Sequence, residues 1–281
     1  MNVNFLKSFA KINLALNITG KSNKLHKIES IVKFIQLHDQ ISIKMIAGNK
    51  HDISFNGNFS KNISRNNTVK NLLDILDKQK LLDNKKFKIK IEKNIPQEAG
   101  LGGGSMNAAS VLSFLIKKKI VKINQKKILD IANLVGSDVI LGMSPKSIVL
   151  KSNSVIKKFS KTPILYTLLV RPNFGCSTKK IYSGVRKFTR PILNNPKKNM
   201  FSLKFLSKQE NALEKIAFLK YSKLKKLKIY LENLEKTLFV RMTGSGSVLV
   251  AYFEKKQDCE LAKVKFKRKF KNYWCNVSKT I

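Results

Sequence analysis

The chain has 281 residues, of which 43% are hydrophobic, so it can bury the cores of two domains. Lysine and arginine number 56 against 17 aspartates and glutamates, a formal net charge of +39 at pH 7. No apolar run reaches the ~20 residues that a membrane-spanning helix needs. Lys7 and Lys11 interrupt the first residues, which argues against a secretory signal. We therefore expect a cytoplasmic protein without a membrane partner.

The positive charge is mostly lysine and is spread through the whole chain. Proteins that read nucleic acid specifically favour arginine for bidentate contacts, so we expect solvated surface lysines and no specific nucleic-acid partner. The densest basic cluster, residues 263–271, also carries Phe266 and Phe270. Non-specific polyanion binding at low salt is an expected side effect. A non-enzymatic polyanion-binding protein therefore remains an alternative.

Hydrophobic periodicity predicts an α+β chain with two domains, residues 1–157 and 158–281. In the first, strands at 10–18, 41–46 and 87–91 alternate with helices at about 67–82, 105–119 and 125–135. The second unit begins near Lys161 with a strand at 164–170. It continues with a loop at 191–196, helices within about 207–235, a strand at 248–253, a helix near 257–268 and a strand near 273–277.

The first predicted strand has two polar residues, Lys11 and Asn13, on one face. Its other face is apolar and consists of Ile12, Leu14, Leu16 and Ile18. A lysine on the polar face of a strand is usually only solvated. The residues alone therefore leave the role of Lys11 open.

A glycine-rich loop lies between the predicted strand 87–91 and the helix 105–119. Residues 100–104 read Gly-Leu-Gly-Gly-Gly, and Ser105 is expected to cap the first turn of the helix. Backbone N–H groups and the positive end of the helix dipole then converge on one point, where a phosphate is stabilised. The loop lacks the Gly-Lys-Ser/Thr ending of a Walker loop, and no Gly-x-Gly-x-x-Gly opens a dinucleotide fold at the N-terminus.

Two further segments combine glycine with polar residues. The helix 125–135 is expected to end at Gly136 as its C-cap, and Ser137, Asp138 and Val139 follow. Near the C-terminus, Arg241–Ser247 includes two glycines directly before the apolar run 248–253. Taken alone, Asp138 is as readily a turn cap as a functional acid, and the glycines are as readily a hairpin turn.

The glycine loop closely resembles the Pro-x-x-x-Gly-Leu-Gly-Gly-Gly-Ser-Ser-Asn-Ala-Ala loop of the GHMP kinases, small-molecule kinases of the galactose, homoserine and mevalonate type. Segments 10–18, 136–139 and 241–247 resemble other motifs of that family, so the resemblance covers most of the chain. It implies a two-domain fold. The N-terminal domain would resemble a ribosomal-protein domain and contain a left-handed βαβ unit, and the C-terminal domain would be a ferredoxin-like α+β domain.

The resemblance implies transfer of the γ-phosphoryl group of ATP, with Mg²⁺ on the phosphates, to an alcohol. Asp138 is implied as the base that takes the hydroxyl proton, and Lys11 as a cation beside it. The implied ATP-binding residues are Pro96, Gln97, Glu98, Ala99, Gly100, Leu101, Gly102, Gly103, Gly104, Ser105, Met106 and Asn107. The ligands of Mg²⁺ stay unknown, with Ser105 as a candidate.

The segment 20–41 is similar to the branch of the family that phosphorylates the 2-hydroxyl of a cytidine-diphosphate sugar alcohol on the non-mevalonate route to isoprenoid precursors. The implied substrate contacts are Asn13, Leu25, His26, Tyr182, Thr243 and Gly244. His26 would read the cytosine edge, and Tyr182 would supply an aromatic wall. A homoserine- or mevalonate-type kinase remains an alternative, and the sequence fits a monomer or a homodimer.

The chain departs from the family pattern at five places. Leu25 replaces a tyrosine, Met106 the second serine of the loop, and Phe9 and Ile140 each replace a proline. A later Gly-x-Gly-Glu segment is not recognisable around residues 152–155. None of these departures removes an implied catalytic group. They bear on substrate affinity and nucleotide contacts more than on the type of reaction.

Overall fold

The computed structural model describes residues 2–22 and 25–281, and it has the mixed α+β architecture predicted from the sequence. Two residues of the segment 20–41, Asn23 and Lys24, lie outside the described residues. Contacts divide the chain into two compact units. Unit 1 consists of Met1–Lys11, Leu37–Gln97 and Gly102–Pro145, and unit 2 of Ile12–Gln36, Glu98–Leu101 and Lys146–Ile281. The domain boundary expected after residue 157 stays a prediction.

Ten strands occur in the described ranges. They are β1 (Asn4–Ser22), β2 (Leu25–Ile46), β3 (Asp52–Asn56), β4 (Lys86–Glu92), β5 (Ser147–Leu150), β6 (Ile156–Phe159), β7 (Tyr166–Arg171), β8 (Phe239–Met242), β9 (Leu249–Phe253) and β10 (Trp274–Lys279).

The same ranges contain nine α-helices and one 3₁₀ turn, Lys198–Phe201. The helices are α1 (Thr68–Lys78), α2 (Gly103–Lys117), α3 (Gln125–Val135), α4 (Val139–Gly142), α5 (Thr178–Tyr182), α6 (Leu203–Leu206), α7 (Glu214–Lys220), α8 (Ser222–Glu232) and α9 (Lys256–Lys269).

Unit 1 is a sheet covered by helices. In this unit β4 pairs antiparallel with residues 40–46 of β2 and parallel with β3, and α1 joins β3 to β4. Two parallel strands joined through a helix form a βαβ unit, whose left-handedness stays a prediction. Leu72 of α1 and Leu112 of α2 are fully buried in one cluster with Ile89 of β4. This packing fixes α2, whose N-terminus follows the glycine loop.

Unit 2 contains a four-stranded antiparallel sheet in the order β10-β7-β9-β8. Helices α5 to α8 lie between β7 and β8 in the chain, and α9 lies between β9 and β10. The succession strand, helix, strand, strand, helix, strand is that of a ferredoxin-like motif. Residues 30–32 of β2 pair with β5, which pairs with β6. The apolar core of the unit includes Leu168, Ala251 and Phe266, each fully buried.

Most of the long elements were predicted, but some of their bounds were wrong. The helix expected from about residue 207 begins only at Glu214, because the buried Asn211 bonds to the Leu213 N–H group and forms a turn there. The first strand is longer than 10–18. Its polar face is buried, since Lys11 and Asn13 are each only 4% exposed, so Lys11 is not a solvated surface lysine.

The short strands β3, β5, β6 and β8 were also missed, because each has only four or five residues. Across residues 2–22 and 25–281, none of the helices is long and apolar enough to span a membrane.

Candidate active site

The glycine loop of unit 1 leads into α2 through Gly102. This residue is the N-cap of the helix and has φ +71°, a left-handed conformation that favours glycine. The expectation that Ser105 caps the helix was therefore wrong, because the left-handed turn at Gly102 starts the helix two residues earlier. A β-carbon on Gly102 would come 3.0 Å from Cγ and 3.1 Å from Cε of Lys11. The missing side chain leaves room for the lysine to pass along the loop.

Lys11 and Asp138, the two implied catalytic residues, meet in unit 1. The Lys11 side chain is 5% exposed, and its Nζ lies 3.3 Å from Oδ2 of Asp138, whose side chain is 32% exposed. Asp138 precedes the short helix α4 but makes no side-chain capping bond to it. The carboxylate therefore faces the lysine and is not used as a helix cap.

The turn that carries Asp138 begins at Gly136, the C-cap of α3, as predicted. The Gly136 N–H group donates to the Ala132 carbonyl at 2.9 Å. Its φ is 167°, so the cap is extended rather than left-handed. The position of a β-carbon on Gly136 lies 3.9 Å from Oγ of Ser105. The Ser105 hydroxyl therefore borders the turn that leads to Asp138.

Met106, which stands where the family has a second serine, is buried. Its Sδ lies 2.8 Å from where a β-carbon on Gly142 would be. The methionine side chain thus packs α2 against α4. The replacement of the family's serine by Met106 therefore affects the packing of these two helices. The next residue, Asn107, is 1% exposed, and its Oδ1 has no hydrogen-bond partner in the structure.

The backbone just before the glycine loop is held by a buried carboxylate, Asp39 of β2. Its Oδ1 accepts the N–H groups of Asn94 and Ile95, both at 2.8 Å, and its Oδ2 pairs with the Lys93 ammonium. The Gln97 amide donates to two backbone carbonyls, those of residues 59 and 61, at 2.8 Å each. The start of the loop is therefore tied to two neighbouring segments of unit 1.

Lys93 adds a second positive charge near the start of α2. Its Nζ lies 3.3 Å from the position of a β-carbon on Gly103, the first helical residue. An ammonium at a helix N-terminus is disfavoured by the dipole unless an anion is close, and Asp39 supplies one here. The role of Asp39 and Lys93 was missed at the sequence level. In the sequence this role was indicated only by an acid that follows a largely apolar stretch and by a lysine three residues before Pro96.

Unit 1 thus collects several sources of positive potential at the glycine loop: the N-terminus of α2, Lys11 and Lys93. A unit charge about 4 Å from an anion contributes about 4 kcal/mol at an effective dielectric constant near 20, before desolvation. The Asp138 carboxylate lies beside one of these cations. The arrangement can stabilise a polyphosphate next to a carboxylate that accepts a proton.

In unit 2, Gly100, the first glycine of the loop, packs directly on the second glycine turn, residues 243–247. A β-carbon on Gly100 would lie 1.9 Å from the Thr243 carbonyl oxygen, and its φ of +73° also favours glycine. The Thr243 hydroxyl donates to the Gly100 carbonyl at 3.0 Å. This close backbone contact explains why glycine is needed at residue 100 and in the turn.

Asn13 joins the same turn. Its Oδ1 accepts the Gly244 N–H group at 3.0 Å, and its Nδ2 donates to Oγ of Ser30 at 2.8 Å. Asn211 donates to the Met242 and Gly244 carbonyls, both at 2.8 Å. Both asparagines therefore support the shape of the turn. A contact between Asn13 and substrate stays a prediction, and Asn211 was missed because an isolated asparagine carries no motif.

His26 and Tyr182, the implied base-binding residues, also meet in unit 2, with ring centroids 5.3 Å apart. Burial and, to a smaller extent, the Lys21 ammonium lower the pKa of His26, which favours the neutral imidazole at pH 7. Leu25 is 77% exposed and offers only an aliphatic surface. The predicted site residues therefore form two local groups. Unit 1 holds Lys11, Pro96, Gln97, Gly102–Asn107 and Asp138, and unit 2 holds Asn13, Leu25, His26, Glu98–Leu101, Tyr182, Thr243 and Gly244.

Comparison with known proteins identifies the class. Residues 67–145, which include the glycine loop and Asp138, match the family model of the GHMP kinases N terminal domain. A crystal structure of 4-(cytidine 5'-diphospho)-2C-methyl-D-erythritol kinase superposes with a TM-score of 0.80 at 21% identity, covering 98% of this chain and 99% of that one. A crystal structure of L. major mevalonate kinase superposes with a TM-score of 0.72 at 16% identity, covering 99% of this chain and 95% of that one. The fold and the matched domain are those of the GHMP kinases.

Sequence relatives narrow the class. A 4-diphosphocytidyl-2-C-methyl-D-erythritol kinase of Pelagibacter ubique is 55% identical over 281 residues, all of both chains. A kinase of the same name from Petrotoga mobilis is 34% identical, covering 87% of this chain and 96% of that one. The chain belongs to the 4-diphosphocytidyl-2-C-methyl-D-erythritol kinase family. It is therefore a phosphotransferase that uses ATP, and a non-enzymatic polyanion-binding protein is not supported.

Proposed function

We propose that this protein transfers the γ-phosphoryl group of ATP to the 2-hydroxyl of 4-(cytidine 5'-diphospho)-2-C-methyl-D-erythritol, a step of the non-mevalonate route to isoprenoid precursors. The observation that carries the chemistry is the Lys11–Asp138 pair, 3.3 Å apart beside the glycine loop. Full-length identity of 55% to a kinase named for this substrate supports the choice of alcohol.

In the proposed reaction, the hydroxyl oxygen of the substrate attacks the γ-phosphorus, and Asp138 accepts the proton of that hydroxyl. The bond between the γ-phosphorus and the bridging oxygen breaks, and ADP leaves. A placed general base contributes ~10²–10⁴-fold to the rate. Lys11 offsets the negative charge that develops on the transferring group. The rest of the task is alignment, which the backbone of the loop performs.

The nucleotide phosphates would be bound by the N–H groups of the loop from Pro96 to Asn107. Mg²⁺ prefers oxygen ligands, and it is usually held by one or two carboxylates together with substrate phosphates. The Ser105 hydroxyl is an oxygen donor in the first turn of α2, directly after the glycines. It fits a Mg²⁺ ion that is held mainly by the phosphates of ATP. When bound, the ion neutralises charge on the phosphate oxygens.

The cytidine end of the substrate would bind in unit 2, at His26 and Tyr182. A neutral imidazole has both a donor and an acceptor nitrogen, which suits the edge of cytosine. We further propose that the protein is cytoplasmic, acts as a monomer or homodimer on small molecules, and has no specific nucleic-acid or membrane partner. Its surface lysines would then serve solubility rather than recognition.

The test offers the purified protein Mg-ATP with each of three alcohols: the cytidine-diphosphate substrate, homoserine and mevalonate. We expect phosphorylation of the first alone. Asp138→Asn should lower turnover by ~10²–10⁴-fold while ATP binding, followed by calorimetry, persists. Phosphorylation of homoserine or mevalonate in preference to the cytidine compound would overturn the proposal.

A further inference from the structure

A loop of unit 2 that follows α5 carries an exposed aromatic side chain on a firmly held backbone. We call Val185–Leu193 the strap. Residues 186–192 are all exposed, and Phe188 is 49% exposed. An exposed phenylalanine contributes little to the stability of the fold, so its position is informative only if the backbone around it is fixed.

The C-terminal end of the strap is fixed by Glu29 of β2, which is fully buried. Its Oε1 accepts the Ile192 N–H group at 2.9 Å and the Asn17 amide at 3.0 Å, and its Oε2 accepts the Leu193 N–H group at 3.0 Å. A buried carboxylate is costly unless its oxygens are hydrogen-bonded in this way. The carboxylate therefore holds two successive backbone groups of the strap.

The middle of the strap is bonded to β1. The Thr189 N–H group donates to the Ile18 carbonyl at 2.8 Å. Beyond the strap, Asn194 accepts from the N–H and hydroxyl groups of Ser152, at 3.1 and 2.8 Å. Phe188 thus lies next to Thr189, whose backbone is bonded to β1. Further along the chain, Glu29 and Ser152 anchor residues 192–194.

The Phe188 ring lies close to the histidine of the implied base site. The Phe188 centroid lies 6.5 Å from that of His26, which in turn lies 5.3 Å from that of Tyr182. A partly exposed aromatic ring is a stacking surface for a nucleobase, and base stacking tolerates any base because each has a π-face. The strap also carries the exposed cations Arg186, Lys187 and Arg190, which attract a diphosphate.

We propose that Phe188 is a specificity-determining residue that stacks against the base of the cytidine-diphosphate substrate, and that Glu29 is the positioning residue that holds the strap for it. Leu25, 77% exposed on the same stretch as His26, cannot stack in this way. The inference rests on the proposed function and adds a residue to the same site.

Binding of cytidine 5'-diphosphate, followed by calorimetry, tests the stacking directly and needs no turnover. Phe188→Ala should weaken binding by about tenfold to one-hundredfold, and Phe188→Tyr should restore most of it. In steady-state assays the KM for the cytidine substrate should rise by a similar factor while the KM for ATP stays unchanged. Phe5→Ala removes a phenylalanine of unit 1 that is still more exposed, at 77%, and should change neither the affinity nor the KM.

The positioning role of Glu29 is tested with Glu29→Gln, which keeps the size of the side chain but places an amide N–H group against a backbone N–H group. We expect weaker binding of cytidine 5'-diphosphate, and little further loss when Phe188→Ala is added. Equal effects of Phe188→Ala with and without Glu29→Gln would refute the positioning role.

The outcomes separate this inference from the proposed function. Suppose that the wild-type protein phosphorylates the cytidine substrate and that His26→Ala binds cytidine 5'-diphosphate more weakly. Unchanged binding of cytidine 5'-diphosphate by Phe188→Ala would then overturn the inference alone. Wild-type protein that neither binds cytidine 5'-diphosphate nor phosphorylates the cytidine substrate would refute both.

Discussion

The Lys11 side chain passes within 3.1 Å of where a β-carbon on Gly102 would lie and ends 3.3 Å from Asp138, so one buried cation borders both the glycine loop and the candidate base. The contact depends on the absence of a side chain at residue 102. It also explains why a lysine that is only 4% exposed is tolerated in β1, since its charge has a carboxylate partner.

The contact between the two glycine turns of unit 2 predicts a large loss of stability for Gly100→Ala. The new β-carbon would lie 1.9 Å from the Thr243 carbonyl oxygen, at a φ of +73°. We expect the free energy of unfolding in urea to fall by about 2–4 kcal/mol. Gly48→Ala is the matched control, because Gly48 has φ +128° and no atom within 4 Å of its β-carbon position. It should lose only about 1 kcal/mol, and equal losses would contradict the packing argument.

The buried pair of Asp39 and Lys93 predicts strong coupling in stability. Asp39→Asn leaves the Lys93 ammonium buried without its counter-charge, and this should cost about 3–5 kcal/mol in urea unfolding at pH 7. Adding Lys93→Met removes the stranded charge and should recover part of the loss. A double variant that is less stable than Asp39→Asn alone would show that the pair is not the reason for the cost.

Lys33 predicts a stability that depends on pH. The side chain is 1% exposed, donates to the Pro163 carbonyl at 2.5 Å, and burial lowers its pKa to about 8. Between pH 8 and 10.5 the unfolded chain binds more protons at Lys33 than the folded chain does, so the free energy of unfolding rises with pH over this range. Below pH 8 the destabilisation caused by the buried ammonium is complete. Lys33→Met should therefore gain about 2 kcal/mol at pH 7, after the loss of one hydrogen bond. The gain should shrink towards pH 10, and a gain independent of pH in urea unfolding would refute the account.

The elements that could be predicted are those whose signal is local. The glycine loop needs left-handed backbone at Gly102 and an unobstructed helix start, and both requirements are visible as residue types. The bounds of α3 were predicted to the residue, and local groups mark both of its ends. The Asn124 side chain accepts the Lys127 N–H group at the start, and Gly136 caps the end. Lys11 and Asp138 were paired only through the resemblance, since no local pattern relates residues this far apart in the chain.

What the sequence did not reveal depends on partners distant in the chain. Asp39, Glu29 and Asn211 are single polar residues whose buried hydrogen bonds join segments tens of residues apart. Their neighbours in sequence do not indicate these partners. Short strands such as β8 form for the same reason, because the strand beside them supplies the pairing that four residues cannot signal alone.

The most direct test of the central claim, that Lys11 and Asp138 act as one catalytic pair, is a double-mutant cycle on kcat with the cytidine substrate. Lys11→Met and Asp138→Asn should each lower kcat by ~10²–10⁴-fold with ATP binding retained. Lys86→Met, which breaks an ion pair with Asp77 at 2.6 Å, should leave kcat unchanged. We predict that the double variant is about as slow as the slower single variant, as for residues that act as a unit. A double variant whose loss equals the product of the two single losses would contradict the claim.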